Sequence, residues 1–159
     1  MTIVLRDEPP PEEATLVIHM GAGAVESVVR AAVRNFGEYR LVTGGAGLFA
    51  VSVFAVAGGV TEAAILDALP QRSFARSTVG TVLDAGFGLL PSSIVDADLD
   101  PAIASIQHVH YDIVLPALDD DRLGSTGPLD DEKLEEACRT HLLPHAERLL
   151  ALFGPRERR

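Results

Sequence analysis

An α+β fold, built as a ferredoxin-like sandwich, is what this sequence predicts, and three observations predict it. Apolar residues make up 47% of the 159 residues, enough for a buried core. Short Val- and Ile-rich runs bounded by Gly and Pro alternate with stretches of helical period. Their order is strand, helix, strand, strand, helix, strand, the order of an antiparallel sheet with two helices on one face. An extra strand and a C-terminal helix extend it.

Residues 1–13 read as a flexible arm, because Pro9, Pro10 and Pro11 can build neither a ladder nor a helix interior. A single domain is expected over residues 14–154, with a tail at 155–159. Thr15–Met20 is the first strand, and Gly21-Ala22-Gly23 turns the chain. Val25, Val28, Val29, Ala32, Val33 and Phe36 then recur on one face of an amphipathic helix. Gly37 sits where a helix end favours a left-handed residue.

Tyr39–Val42 reads as the second strand and Leu48–Ala57 as the third, joined by the glycine-rich turn 43–47. The third is apolar on both faces, so both must be covered. The C-terminal helix or a second copy in a homodimer would do this. Thr61 caps a helix over Glu62–Leu69, with Glu62 favourable near its N-terminus, and Pro70 stops it. Phe74–Leu83 is the fourth strand. Residues 84–101 and 117–128 read as loops, and Gln107–Leu115 between them as the fifth strand. The last helix starts at the cap Asp130, with Leu129 stapled to Leu134. Pro144 should kink or break it, and Gly154-Pro155 ends it.

A formal net charge of −10 disfavours nucleic acid as a partner, since phosphate binding needs clustered cations. The one dense basic group, Arg156, Arg158 and Arg159, reads as a frayed tail. The most apolar stretch, Gly44 to Val60, holds five glycines and is too short to span a membrane. The single cysteine allows no internal disulfide and suits a reducing compartment. The acidic, proline-rich start lacks the features of a signal peptide, so the cytoplasm is the expected location. One lysine stands against twelve arginines, a bias read here as GC-rich bacterial coding style.

Four of the five histidines fall in two groups. On a strand over Gln107–Leu115, His108, His110 and Asp112 would share one face, opposite Val109, Tyr111, Ile113 and Leu115. Two imidazoles and a carboxylate so placed can chelate a divalent ion. Cys138, His141 and His145, at i, i+3 and i+7, share a helix face beside an apolar stripe. If that helix covers the sheet, His108, His110, Asp112, His141 and His145 converge on one metal site. The bland alternative is a polar face and packed border histidines. Arg72 and Arg76, beside Ser73, Ser77, Thr78 and Thr81, would hold an anionic ligand or merely screen an acidic surface. His19 closes the first strand beside a helix start. The acidic runs Asp96–Asp100 and Asp119–Asp121 read as solvated loops, lacking the glycine and distal glutamate of an EF-hand loop.

Leu41–Ala50, with Thr43-Gly44-Gly45-Ala46-Gly47 at its centre, resembles the dinucleotide-binding turn of short-chain dehydrogenases. In that family the turn joins a strand to a helix. Here a strand pattern follows, so the segment reads as a hairpin turn. No nucleophile elbow, Walker loop, paired-cysteine zinc motif or metalloprotease helix occurs.

The expected function is a non-enzymatic binding or regulatory module, dimeric, recognising a protein partner or a small molecule. The alternative is a small lyase, isomerase, cyclase or hydrolase with a histidine-lined site, assisted by a divalent metal. Neither a membrane nor a nucleic acid is expected as partner.

Overall fold

In the computed structural model, residues 2–20, 24–43, 47–70, 73–124 and 132–158 are described. The fold is mixed α+β. Seven strands, β1 (Thr2–Leu5), β2 (Thr15–Met20), β3 (Ala50–Ala55), β4 (Ser73–Thr78), β5 (Gly88–Val95), β6 (His110–Val114) and β7 (Glu157–Arg158), form one open antiparallel sheet in the order β1-β5-β6-β3-β2-β4-β7. Five α-helices accompany them among the described residues: α1 (Ala24–Thr43), α2 (Glu62–Ala68), α3 (Val79–Asp84), α4 (Pro101–Ala104) and α5 (Glu132–Leu150).

Helix α1 departs most from the sequence expectation. It runs through Gly37 to Thr43, so Tyr39–Val42 is helical and only one strand separates α1 from α2. The strand pair expected between two helices in a ferredoxin-like order is therefore not formed. The physical reason is tertiary. The buried face of α1 continues past Phe36 to Tyr39 and the charged Arg40, which are 1% and 2% exposed. Burial of the Tyr39 ring outweighs the roughly 1 kcal/mol that a helical glycine costs. The segment resembling a dinucleotide turn thus links a helix to a strand, and its centre, residues 44–46, lies outside the described residues. The turn at Gly21–Gly23 and the cap at Asp130 also lie outside them.

Four further segments differ. Part of the expected N-terminal arm forms β1, paired with β5 from Thr2↔Val95 to Leu5↔Ser92. The expected fourth strand ends at Thr78, whose hydroxyl caps α3 by accepting from Thr81 N. Much of the expected loop 84–101 is β5 and α4. Residues of the expected tail form β7, a short edge pairing with β4. The cap at Thr61 is found, accepting from Ala64 N at 3.1 Å.

Most buried apolar side chains form one cluster. It holds Leu142, Ala146 and Leu149 of α5 together with Val51 and Val53 of β3 and Ile113 of β6. A smaller cluster joins Ile3, Tyr39 and Ala50. Ala50, Val53 and Ala55 are fully buried, and α1 packs against β3. No helix among the described residues is long and apolar enough to cross a membrane.

Candidate functional site

Strands β2 and β3 pair only at Leu16↔Ala55 and Val17↔Phe54. Beyond these pairs they part, and a cleft of about 630 Å³ opens between them. Ile18, His19 and Met20 line it from β2, and Val51, Ser52 and Phe54 from β3. One side of α1 contributes Val28, Arg30, Ala31, Arg34 and Asn35, and His110 of β6 closes the polar end.

The polar end follows from register. Asp112 lies opposite Ser52 on β3 and Leu90 on β5, and His110 lies opposite Phe54. Because a strand repeats every two residues, Ser52, His110, Asp112 and Ser92 share one face. Tyr39 reaches that face from α1, one turn beyond Asn35, whose amide donates to Ala50 O at 2.7 Å. His110, Asp112, Ser92 and Tyr39 are each at most 5% exposed.

Their hydrogen bonds form one chain. The His110 ring carries Nδ1 2.9 Å from Ser92 O and 3.0 Å from Ser92 Oγ. A carbonyl only accepts, so Nδ1 holds the proton and Nε2 holds the lone pair. Nε2 lies 3.0 Å from Ser52 Oγ, which therefore donates to it. The Ser92 hydroxyl donates to Asp112 Oδ2 at 2.8 Å, and the Tyr39 hydroxyl donates to the same oxygen. Asp112 Oδ1 is 3.4 Å from Ser52 Oγ and 3.9 Å from His110 Nε2.

Burial pushes the His110 pKa below its ordinary value, opposed by the nearby Asp112 charge. The imidazole is held neutral, as a base must be. Burial, then the Asp112 charge, raises the Tyr39 pKa, so its phenol keeps its proton. Arg6 braces the frame from outside. Its guanidinium donates to Ser92 O at 2.6 Å, Ser93 Oγ at 2.7 Å and His110 O at 2.7 Å. It also lies 5.0 Å over the Tyr111 ring.

Of the residues singled out in the sequence, His110 and Asp112 come together and His108 does not join them. The strand begins only at His110. His108 belongs to a 3₁₀ turn over Gln107–Val109, where its exposed ring faces Gly58 O at 3.3 Å. His141 and His145 pair with each other on α5, their ring centroids 5.1 Å apart. His141 Nε2 donates to Pro116 O at 2.8 Å. Burial, then the His141 charge, lowers the His145 pKa. Cys138 is buried and its thiol pKa is raised by burial. Among the described residues no group of three His, Cys, Asp or Glu side chains is arranged to hold a metal ion. Arg76 is bound by Glu62 of α2 and Glu157 of β7, so its charge is answered within the chain. Arg72 lies outside the described residues.

Ser52, Ser92, Tyr39 and Arg6 were not singled out by sequence. Ser52 did carry a signal: it is the one polar residue in an otherwise apolar strand. Ser92 and Arg6 lay in segments read as loop and arm. No protein-family model, curated protein or solved structure matches this chain.

Proposed function

We propose that the protein is a small-molecule binding module whose ligand lies in the cleft between β2 and β3. The ligand is apolar over most of its length and carries an anionic group. The observation that carries this reading is the cleft itself. Its volume of about 630 Å³ falls in the range of small-molecule sites, and its walls are apolar around one buried polar end. Arg30 and Arg34, one helical turn apart on α1, border it and enter none of the ion pairs formed among the described residues. In a chain of net charge −10 these two cations favour an anion at the cleft mouth.

The probe is 8-anilinonaphthalene-1-sulfonate, an anionic aromatic. It should bind the native protein saturably at one site and be displaced by octanoate. Arg34→Glu should weaken binding by at least about tenfold, the equivalent of one lost charge contact of about 1.4 kcal/mol. Ala31→Trp, which fills the cleft, should abolish it. Binding unaffected by either substitution would remove this reading.

A second reading, a regulatory homodimer or docking on another protein, draws on the free edge of β1. Val4, Leu5 and Val95 are 46%, 52% and 55% exposed there. Light scattering across a concentration series separates dimer from monomer.

A further inference from the structure

We infer that Ser52 is a nucleophile activated by His110, and that the cleft hydrolyses small carboxylic esters with apolar acyl groups. The inference rests on the cleft being a ligand site and adds a reaction to it.

Three geometric facts carry it. The tautomer is fixed from outside the cleft, by a carbonyl oxygen 2.9 Å from Nδ1. The free lone pair of Nε2 therefore points at Ser52 Oγ, 3.0 Å away, within the range for a nucleophile and its base. Both side chains line the cleft, so a bound ester reaches them. A third group orients the base: the Ser92 hydroxyl, 3.0 Å from Nδ1, passes on to Asp112 at 2.8 Å. The Asp112 carboxylate, 3.9 Å from the ring, stabilises the imidazolium that forms. Asp112 does not compete for the Ser52 proton on equal terms. Its nearer oxygen, Oδ1, lies 3.4 Å from Oγ, against 3.0 Å for Nε2.

The reaction balances with water as co-reactant. Ser52 Oγ attacks the ester carbonyl carbon, and its proton passes to His110 Nε2. The bond from carbonyl carbon to alkoxy oxygen breaks, and the leaving alcohol takes that proton. Water then attacks the acyl-Ser52 ester and gives a proton to Nε2. The carboxylic acid departs as Oγ recovers its proton. Ser52 and His110 are the catalytic residues; Ser92 and Asp112 are positioning residues.

The test uses the whole chain with an alkyl fluorophosphonate, which reports attack alone: the O–P bond forms and fluoride leaves. Peptide mapping of the wild-type protein should place a single adduct on Ser52. Ser52→Ala should give none, while still melting in one cooperative transition. His110→Gln should slow labelling by about 100-fold or more. Ser92→Ala should slow it and shift its pH profile, and Ser92→Thr should restore both. An adduct elsewhere, no adduct, or a His110→Gln rate equal to wild type would overturn the inference. If the naphthalenesulfonate still binds in those cases, the binding module stands and only the chemistry fails. If it does not bind, both fail.

Discussion

The carbonyl oxygen of Ser92 lies 2.9 Å from Nδ1 of His110, and this one contact decides which nitrogen of a buried imidazole faces the cleft. The strand pairing that sets it is local. Leu90 stands opposite Asp112 on adjacent strands, which brings Ser92 beside His110 two residues along. A backbone group cannot change protonation, so the tautomer holds as long as the pairing holds.

The first prediction is a pH dependence of stability. The His110 pKa is lowered in the folded protein, chiefly by burial, from an ordinary value of 6.5. Below 6.5 the unfolded chain binds the proton more readily than the folded one, so stability rises with pH in that range and levels off above it. Asp120 acts elsewhere: the Arg122 hydrogen bonds hold its pKa at about 2, so its contribution fades only as pH falls from 3.8. His145 is shifted in the same direction as His110 and needs its own control. Urea melts from pH 5 to 8 should show the slope in wild type. It should be reduced in His110→Gln and only slightly changed in His145→Gln. A slope unchanged in His110→Gln would contradict this.

Tyr39→Phe removes one of the two close donors to Asp112 Oδ2 while keeping the ring. The carboxylate is 4% exposed, so water does not replace the lost donor freely. The loss should be about 1–3 kcal/mol in a denaturant melt. Fluorophosphonate labelling at Ser52 should fall less than in His110→Gln, because the imidazole tautomer is set by Ser92.

Arg6→Met keeps an apolar stem but removes donors to Ser92 O, Ser93 Oγ and His110 O. Hydrogen bonds from a charged group are worth about 1.5–3 kcal/mol in all for a set of this kind, after screening at a part-buried site. Hydrogen exchange should quicken in β1 and along β5 and leave β2 and β4 nearly unchanged. Uniform loss across the sheet would mean that Arg6 supports the whole fold rather than its edge.

What the sequence made legible was local and periodic. The α1 stripe, the Thr61 cap, the apolar third strand and the C-terminal helix all appear because each is specified within a dozen residues. The end of α1 was not legible, since Tyr39 and Arg40 read as strand until the groups that bury them are known. The candidate site was half legible. His110 and Asp112 stood out by residue type and spacing. Their partners come from β3, β5, α1 and the N-terminal segment, and only the register of three strands brings these together. His108 was misplaced for a related reason: strand alternation was read from Gln107, three residues ahead of the true start of β6 at His110.

Two glycines near α1 should respond in opposite directions. A Cβ on Gly47 would strike the Phe36 ring, which stacks on Phe49 at 4.6 Å between centroids. Gly47→Ala should cost about 1–3 kcal/mol by pushing that ring off its partner. Gly37 lies inside the helix with nothing within 4 Å of an added Cβ. Gly37→Ala should stabilise by up to about 1 kcal/mol. Thermal melts of the two variants, side by side, check both signs.

Pro144 gives the last prediction. Helix α5 runs from Glu132 to Leu150 with Pro144 inside it, so of the kink or break expected from sequence the break does not occur. The ring lacks an N–H, so the carbonyl of Thr140 receives no bond from it, and a proline inside a helix costs about 3 kcal/mol. Packing explains why the helix persists. Leu142, Ala146 and Leu149, on either side of the proline, are fully buried, and each large apolar side chain so placed contributes about 1.5–3 kcal/mol. The proline itself is exposed and fills no core space. Pro144→Ala should therefore restore one helical bond without opening a cavity. Part of that gain is offset by the freer unfolded chain, by about 0.4–1 kcal/mol. The net result should be a stabilisation of about 1–2 kcal/mol in urea, with an unchanged denaturant slope. A loss of stability would mean that a bend at Pro144 is what seats Leu149 in the core, and that the alanine helix, once straight, pulls it out.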